Sequence, residues 1–176
     1  MSITIPKPTR SLHRIFTVMI AFGLLFILYG FFFGPIICPK TASIFNGASL
    51  SGLKTFDKTP ETGGGFPVRF LGPVSFFVTA IFVLAIVWVV WCVILSVLYI
   101  DNPELVFFVI GGLMILFGIL ACIFSAVLTK SFEAAYASAH PYDRMQLKLG
   151  MGPIALLIGG LLFGVGAAGA GLPTRE

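Results

Sequence analysis

Residues 97–108 read Val-Leu-Tyr-Ile-Asp-Asn-Pro-Glu-Leu-Val-Phe-Phe, a four-residue polar break between two apolar runs. Asn102 suits a helix cap, Pro103 the first helical position and Glu104 the positive end of the helix dipole. The run before the break, about 74–100, and the run after it, about 105–128, contain no Asp, Glu, Lys, Arg or His. A hydrocarbon core of ~30 Å needs ~20 apolar residues in a helix. The break is therefore the tip of a hairpin of two antiparallel membrane spans.

Two further runs meet the same criterion, about 15–38 and about 151–172, and they too contain no Asp, Glu, Lys, Arg or His. The expected architecture is an all-α membrane protein, one four-helix transmembrane bundle over 1–176. Within the first run of the chain the helix is expected to end near Gly34-Pro35, because proline cannot donate into a helix and disfavours helical geometry before it, and Pro39 forces a second break. The first long loop holds Asn46-Gly47, Pro60, Gly63-Gly64-Gly65 and Pro67, which are turn residues. A small strand pair there would fall around Ala42 to Phe45 and Val68 to Phe70. In the second loop Phe132 and Tyr136 lie four apart among alanines, which predicts a short helical segment stopping before His140-Pro141.

Composition agrees with a lipid environment. Of 176 residues 58% are hydrophobic and 10% charged, and the mean hydropathy is +1.06. A soluble domain would carry about 25% charged residues. The net charge of +4 comes from basic residues at the edges of the spans, where they face headgroups rather than nucleic acid. Arg14, Tyr142, Arg144 and Lys148 are the expected interfacial anchors.

What the spans lack bears on function. Proton relays and ion coupling need ionisable groups within the bilayer. Haem and metal sites need His or Cys clusters. The histidines, His13 and His140, flank the spans, and Cys38, Cys92 and Cys122 sit at different depths. No enzyme activity, metal or cofactor is expected, structural lipids aside. Cys38 falls at a membrane edge, where a cytosolic loop would make it a palmitoylation candidate.

Helices in lipid associate by close packing, so small residues are informative. Gly111, Gly118 and Ser125 lie on one face of the third span. Gly23, Gly30 and Gly34 share a seam on the first span, and Gly160 and Gly164 form another on the fourth. These are the candidate helix-packing residues, either within the bundle or against another protein. Trp88 and Trp91, three apart near the middle of the second span, need acceptors for their N–H groups and are candidates for contact with a lipid or other ligand.

An even number of spans places both termini on one side. Lys7, Arg10 and Arg14 before the first span favour cytoplasmic termini, whereas the larger number of Lys and Arg residues in the long loops favours the reverse. The first helix usually dominates, so cytoplasmic termini are expected. An N-terminus free of acidic residues before Asp57 leaves the mitochondrial inner membrane as a minority location.

Four spans in under 200 residues, a longer first loop and a tight second hairpin resemble the claudin and peripheral-myelin-protein class of tetraspan proteins. The run Met145-Gln146-Leu147-Lys148-Leu149-Gly150 leading into Ile154-Ala155-Leu156-Leu157-Ile158-Gly159-Gly160 is similar to the fourth span of that class. The likeness is architectural. The first-loop tryptophan and cysteine pair of the class are absent here, and no functional residue is carried over. The resemblance implies a non-enzymatic protein that associates laterally with other integral membrane proteins and with lipids. The expected function is an accessory or structural subunit of a larger membrane complex. A small pore or carrier built by homo-oligomerisation, or a claudin-like adhesion protein, is the alternative.

Overall fold

The computed structural model describes residues 10–53, 71–98, 104–139 and 146–170. Its elements are α1 (Arg10–Phe32), β1 (Pro35–Pro39), β2 (Ala48–Ser49), α2 (Leu71–Leu98), α3 (Glu104–Ala139), β3 (Leu147–Leu149) and α4 (Met151–Ala170). All four helices are long and apolar enough to cross a membrane. By length and composition the chain is a multi-pass membrane protein.

The first span ends close to the Gly34-Pro35 break. Helix α1 stops at Phe32, and Pro35–Pro39, counted in the sequence as the end of the span up to Cys38, form a strand. The stop is a closing turn in which Phe33 and Gly34 N–H groups both donate to the Tyr29 carbonyl, at 2.9 and 2.7 Å. Pro35 has no N–H with which to continue the helix. Gly34 backs onto the Cα of Gly152 at the start of α4, so a side chain there has no room.

The small sheet has the order β2-β1-β3. Strand β1 pairs antiparallel with β3, Ile37 opposite Leu149 and Cys38 opposite Lys148. It pairs with β2 across an irregularity between Pro35 and Ile37. The strands are thus not where the sequence suggests. Residues 42–45 lie in turns closed by Ala42 N–H to the Pro39 carbonyl and Asn46 N–H to the Ser43 carbonyl, each 3.0 Å. The second expected strand, Val68 to Phe70, lies outside the described residues. The sheet draws one strand from the second loop, a long-range pairing that local propensity does not reveal.

The third helix is longer than predicted. Its 36 residues span about 54 Å at 1.5 Å each, well beyond a ~30 Å core. The segment bearing Phe132 and Tyr136 is its continuation. On this extension Thr129 Oγ1 donates to the Ser125 carbonyl at 2.8 Å, and Lys130 pairs with Glu133 at 3.1 Å. That exposed ion pair adds little stability.

Helix α4 is central, packed against α1 on one flank and α3 on the other, while α2 rests chiefly on α3. Ile27, Ile81, Met114, Leu156 and Phe163 are fully buried along the axis. Because β1 directly follows α1 and β3 directly precedes α4, their pairing holds both long loops at one end of the bundle. The start of α1, the end of α2 and the start of α3 lie at the other end. In sealed vesicles, new cysteines at Ser43 and Lys130 should react with an impermeant maleimide from the same side, and one at Arg10 from the opposite side.

Candidate functional site

Every glycine singled out in the sequence as a packing residue lies at an interface between this chain's own helices. On the α1–α4 flank, a methyl group at Gly23 would stand 2.5 Å from Phe163 N, and one at Gly30 would stand 2.7 Å from Leu156 Cγ. On the α3–α4 flank Gly111 faces the Gly164 carbonyl at 2.5 Å, and Gly118 faces the Leu156 carbonyl at 3.3 Å. Gly160 and Gly164 return these contacts, against the carbonyls of Met114 at 2.7 Å and Gly111 at 2.6 Å. These separations are those a built Cβ would have, so the backbones approach as closely as glycine permits. Ser125 continues the α3 face and is fully buried, with no hydrogen-bond partner for its hydroxyl among the described residues.

A second glycine row on α4 escaped the sequence reading. Gly152, Gly159 and Gly166 recur every seven residues and face the carbonyls of Gly34, Gly23 and Phe16 at 2.7, 2.9 and 2.9 Å. Its signal was the heptad spacing, which matches Gly23 and Gly30 on α1. Helix α4 therefore carries one small-residue row for each neighbour.

Gly112 differs from all of these. A methyl group there meets nothing within 4 Å. It borders an open apolar groove of about 390 Å3 that also involves Phe16, Phe108, Val165 and Gly169. The groove lies over the α3–α4 seam, toward the end of the bundle where α1 starts.

The tryptophans lie on the inner side of α2. Trp88 meets Phe107 at 5.9 Å and Phe163 at 5.2 Å, both edge to face. The indole nitrogens of Trp88 and Trp91 are buried and have no hydrogen-bond partner among the described residues. The pair is displaced from the helix centre toward the hairpin: Trp91 is seven residues, about 10 Å, from Leu98.

Of the expected anchors, Arg14 is exposed near the start of α1, and Tyr142 and Arg144 lie outside the described residues. Lys148 lies in β3. Its ammonium turns into the loop and donates to the carbonyls of Lys40 at 3.3 Å and Ala42 at 2.5 Å. Its place opposite Cys38 in the β1–β3 ladder puts it beside that turn, whose carbonyls lack helix or strand donors. Cys38 is fully buried, donates to the Ile44 carbonyl at 3.3 Å, and is confined by Gly47 and Gly150. Burial raises the pKa of its thiol, and nearby Lys148 opposes the rise. A buried, protonated thiol is a poor acceptor for a palmitoyl group.

Among the described residues no group of three or more His, Cys, Asp or Glu side chains is placed to hold a metal ion. Comparison with family models, with curated proteins and with solved structures finds no match for the chain.

Two measurements check this geometry. Gly111→Ala and Gly164→Ala should each destabilise the chain in detergent by about 1–3 kcal/mol, the usual range for overpacking. Gly112→Ala should change stability by no more than ~0.5 kcal/mol, as expected for a substitution that meets no neighbour. Cys38 should alkylate only on unfolding, slower than Cys92 and Cys122 in the native protein.

Proposed function

We propose that the chain is a non-enzymatic structural subunit of a larger membrane assembly, docking laterally on a transmembrane helix of another protein. The observation that carries this reading is Gly112. The other small-residue contacts bring together helices of this chain, whereas Gly112 opens a groove on the outside of α3 with no contact of its own. A glycine flanked by Phe108 and Leu116 on an outward helix face is a notch of the kind that admits a large side chain from a crossing helix. The apolar runs 15–32, 71–98, 105–128 and 151–170 contain no Asp, Glu, Lys, Arg or His, which fits a part that supplies shape rather than chemistry.

The groove also explains why docking need not disturb the bundle. Its floor includes Gly111, Gly164 and Ala168, already fixed by the α3–α4 contact. A partner helix would meet a rigid surface and lose little conformational freedom on binding.

The test is extraction of native membranes in mild detergent, followed by the size and stoichiometry of the particle that holds the chain. Wild-type chain should run in a stoichiometric complex with at least one other membrane protein. Gly112→Leu should release it as a folded single chain with unchanged melting temperature. Recovery of the wild type as a monodisperse lone chain would overturn the reading, as would an intact complex with Gly112→Leu.

A further inference from the structure

The turn between β1 and β2 sets one phenylalanine among polar neighbours. Phe45 is 58% exposed, and Lys40, Thr41, Ser43 and Asn46 around it are polar and exposed. Phe45 lines a groove of about 370 Å3 with Phe22, Leu25, Phe26, Tyr29 and Met151. The exposed lining of this groove is wholly apolar. Phe22 and Leu25 are themselves exposed, so the groove opens outward along α1.

Two helices give its depth. The apolar part of α1 is Leu12–Phe32 and that of α4 is Met151–Ala170. Half of a ~30 Å core is about ten helical residues. Counted from the middle of each helix, the hydrocarbon boundary on the sheet side passes near Phe32 and near Met151. The Met151 N–H donates to the Ile44 carbonyl at 3.0 Å, which fixes the turn backbone at that level. Phe26 and Tyr29 lie six and three residues inside Phe32, a rise of about 9 and 4.5 Å. Phe45 shares their groove, so its ring stands on the hydrocarbon side of a turn whose other face is polar.

Irregular backbone at such a level is costly unless its polar groups are met within the protein. The carbonyls of Lys40 and Ala42 accept from Lys148 Nζ, that of Ser43 from the Asn46 N–H, and that of Ile44 from Cys38 Sγ as well as from Met151. The N–H groups of Lys40, Ala42 and Phe45 donate to the Gln146 carbonyl, the Pro39 carbonyl and Ser43 Oγ. Lys148 thereby supplies donors that water would supply to a soluble loop. On the polar face the charge of Lys40 is complementary to a lipid phosphate.

We propose that the turn 40–46 is a lipid-binding anchor. Phe45 inserts among the acyl chains of the sheet-side leaflet, one phospholipid acyl chain lies in the groove between Phe45 and α1, and Lys40 faces the phosphate level. The anchor sits at the opposite end of the bundle from the groove at Gly112, and neither site depends on the other.

Two experiments on the full chain in phosphatidylcholine vesicles test it. With p-benzoylphenylalanine in place of Phe45, irradiation should add the mass of one phosphatidylcholine, linked through an acyl carbon. A cross-link within the chain or to a second copy, or no lipid adduct, would overturn the proposal. Nitroxide labels are then compared at Phe45→Cys and Ser43→Cys in a Cys92→Ala/Cys122→Ala background, with the buried Cys38 left in place. The label at 45 should relax more with oxygen than with a water-soluble nickel complex, and the label at 43 the reverse. The first should lie roughly 5 Å deeper than the second, about three residues of helix rise. A label at 45 no deeper than the one at 43 would overturn the proposal. So would one shielded from both reagents, because protein would then cover the groove. Neither experiment reads the partner docked at Gly112.

Discussion

Apolar helices surrounded by lipid gain nothing from hiding apolar surface, because lipid tails are as apolar as leucine. What remains is dispersion between closely matched surfaces, and that attraction falls steeply with distance. Glycine allows the closest approach, and α4 supplies it on two sides. Its row of Gly152, Gly159 and Gly166 receives α1, and its Gly160 and Gly164 receive α3. The central position of α4 follows from carrying both rows. Helix α2, lacking glycine past its first turn, cannot take that place and lies at the periphery.

The sheet follows from the same close contact. Gly34 and Gly152 touch where α1 ends and α4 begins, which brings the next residues of one chain segment beside the preceding residues of the other. Strands β1 and β3 pair there, and Gly150 N–H donates to the Ile36 carbonyl at 2.9 Å to close the junction. Pro35 and Pro39 at the ends of β1 limit its length. Lys148 then satisfies two carbonyls of the following turn. A charged hydrogen bond of this kind contributes roughly 1.5–3 kcal/mol, enough to matter for a sheet of so few residues.

The spans and the hairpin were legible because lipid imposes a length and a composition that few other environments tolerate. The α3–α4 seam was legible because Gly111, Gly118, Gly160 and Gly164 sit at helical spacings on their own helices. The other glycine row of α4, Gly152, Gly159 and Gly166, was equally regular, but a GxxxG at Gly160 and Gly164 drew attention from the heptad beside it. The apolar run continues past the end of α1, which Gly34-Pro35 marks, because Ile36, Ile37 and Cys38 are as apolar as a span. Their burial comes from the sheet and from the neighbouring helices, and hydropathy does not distinguish those environments. The role of Lys148 was hidden for a related reason: its carbonyl partners are more than a hundred residues away. The groove at Gly112 was not legible at all, since Gly112 looks like any neighbour of Gly111 until the helix is rotated into place.

Two kinds of helix contact therefore coexist in one small bundle, and they differ in how they yield. A backbone contact at glycine loses about a quarter to a half of its attraction within about an ångström of separation, which favours keeping the α1–α4–α3 layer in register. Aromatic pairs contribute about 0.5–1.5 kcal/mol each beyond the area they cover, and their rings can slide while staying in contact. Helix α2 lacks glycine past its first turn and packs through Val74, Val78, Ile81 and Ala85 together with its rings, so its distance from the layer is set by side-chain volume rather than by backbone contact.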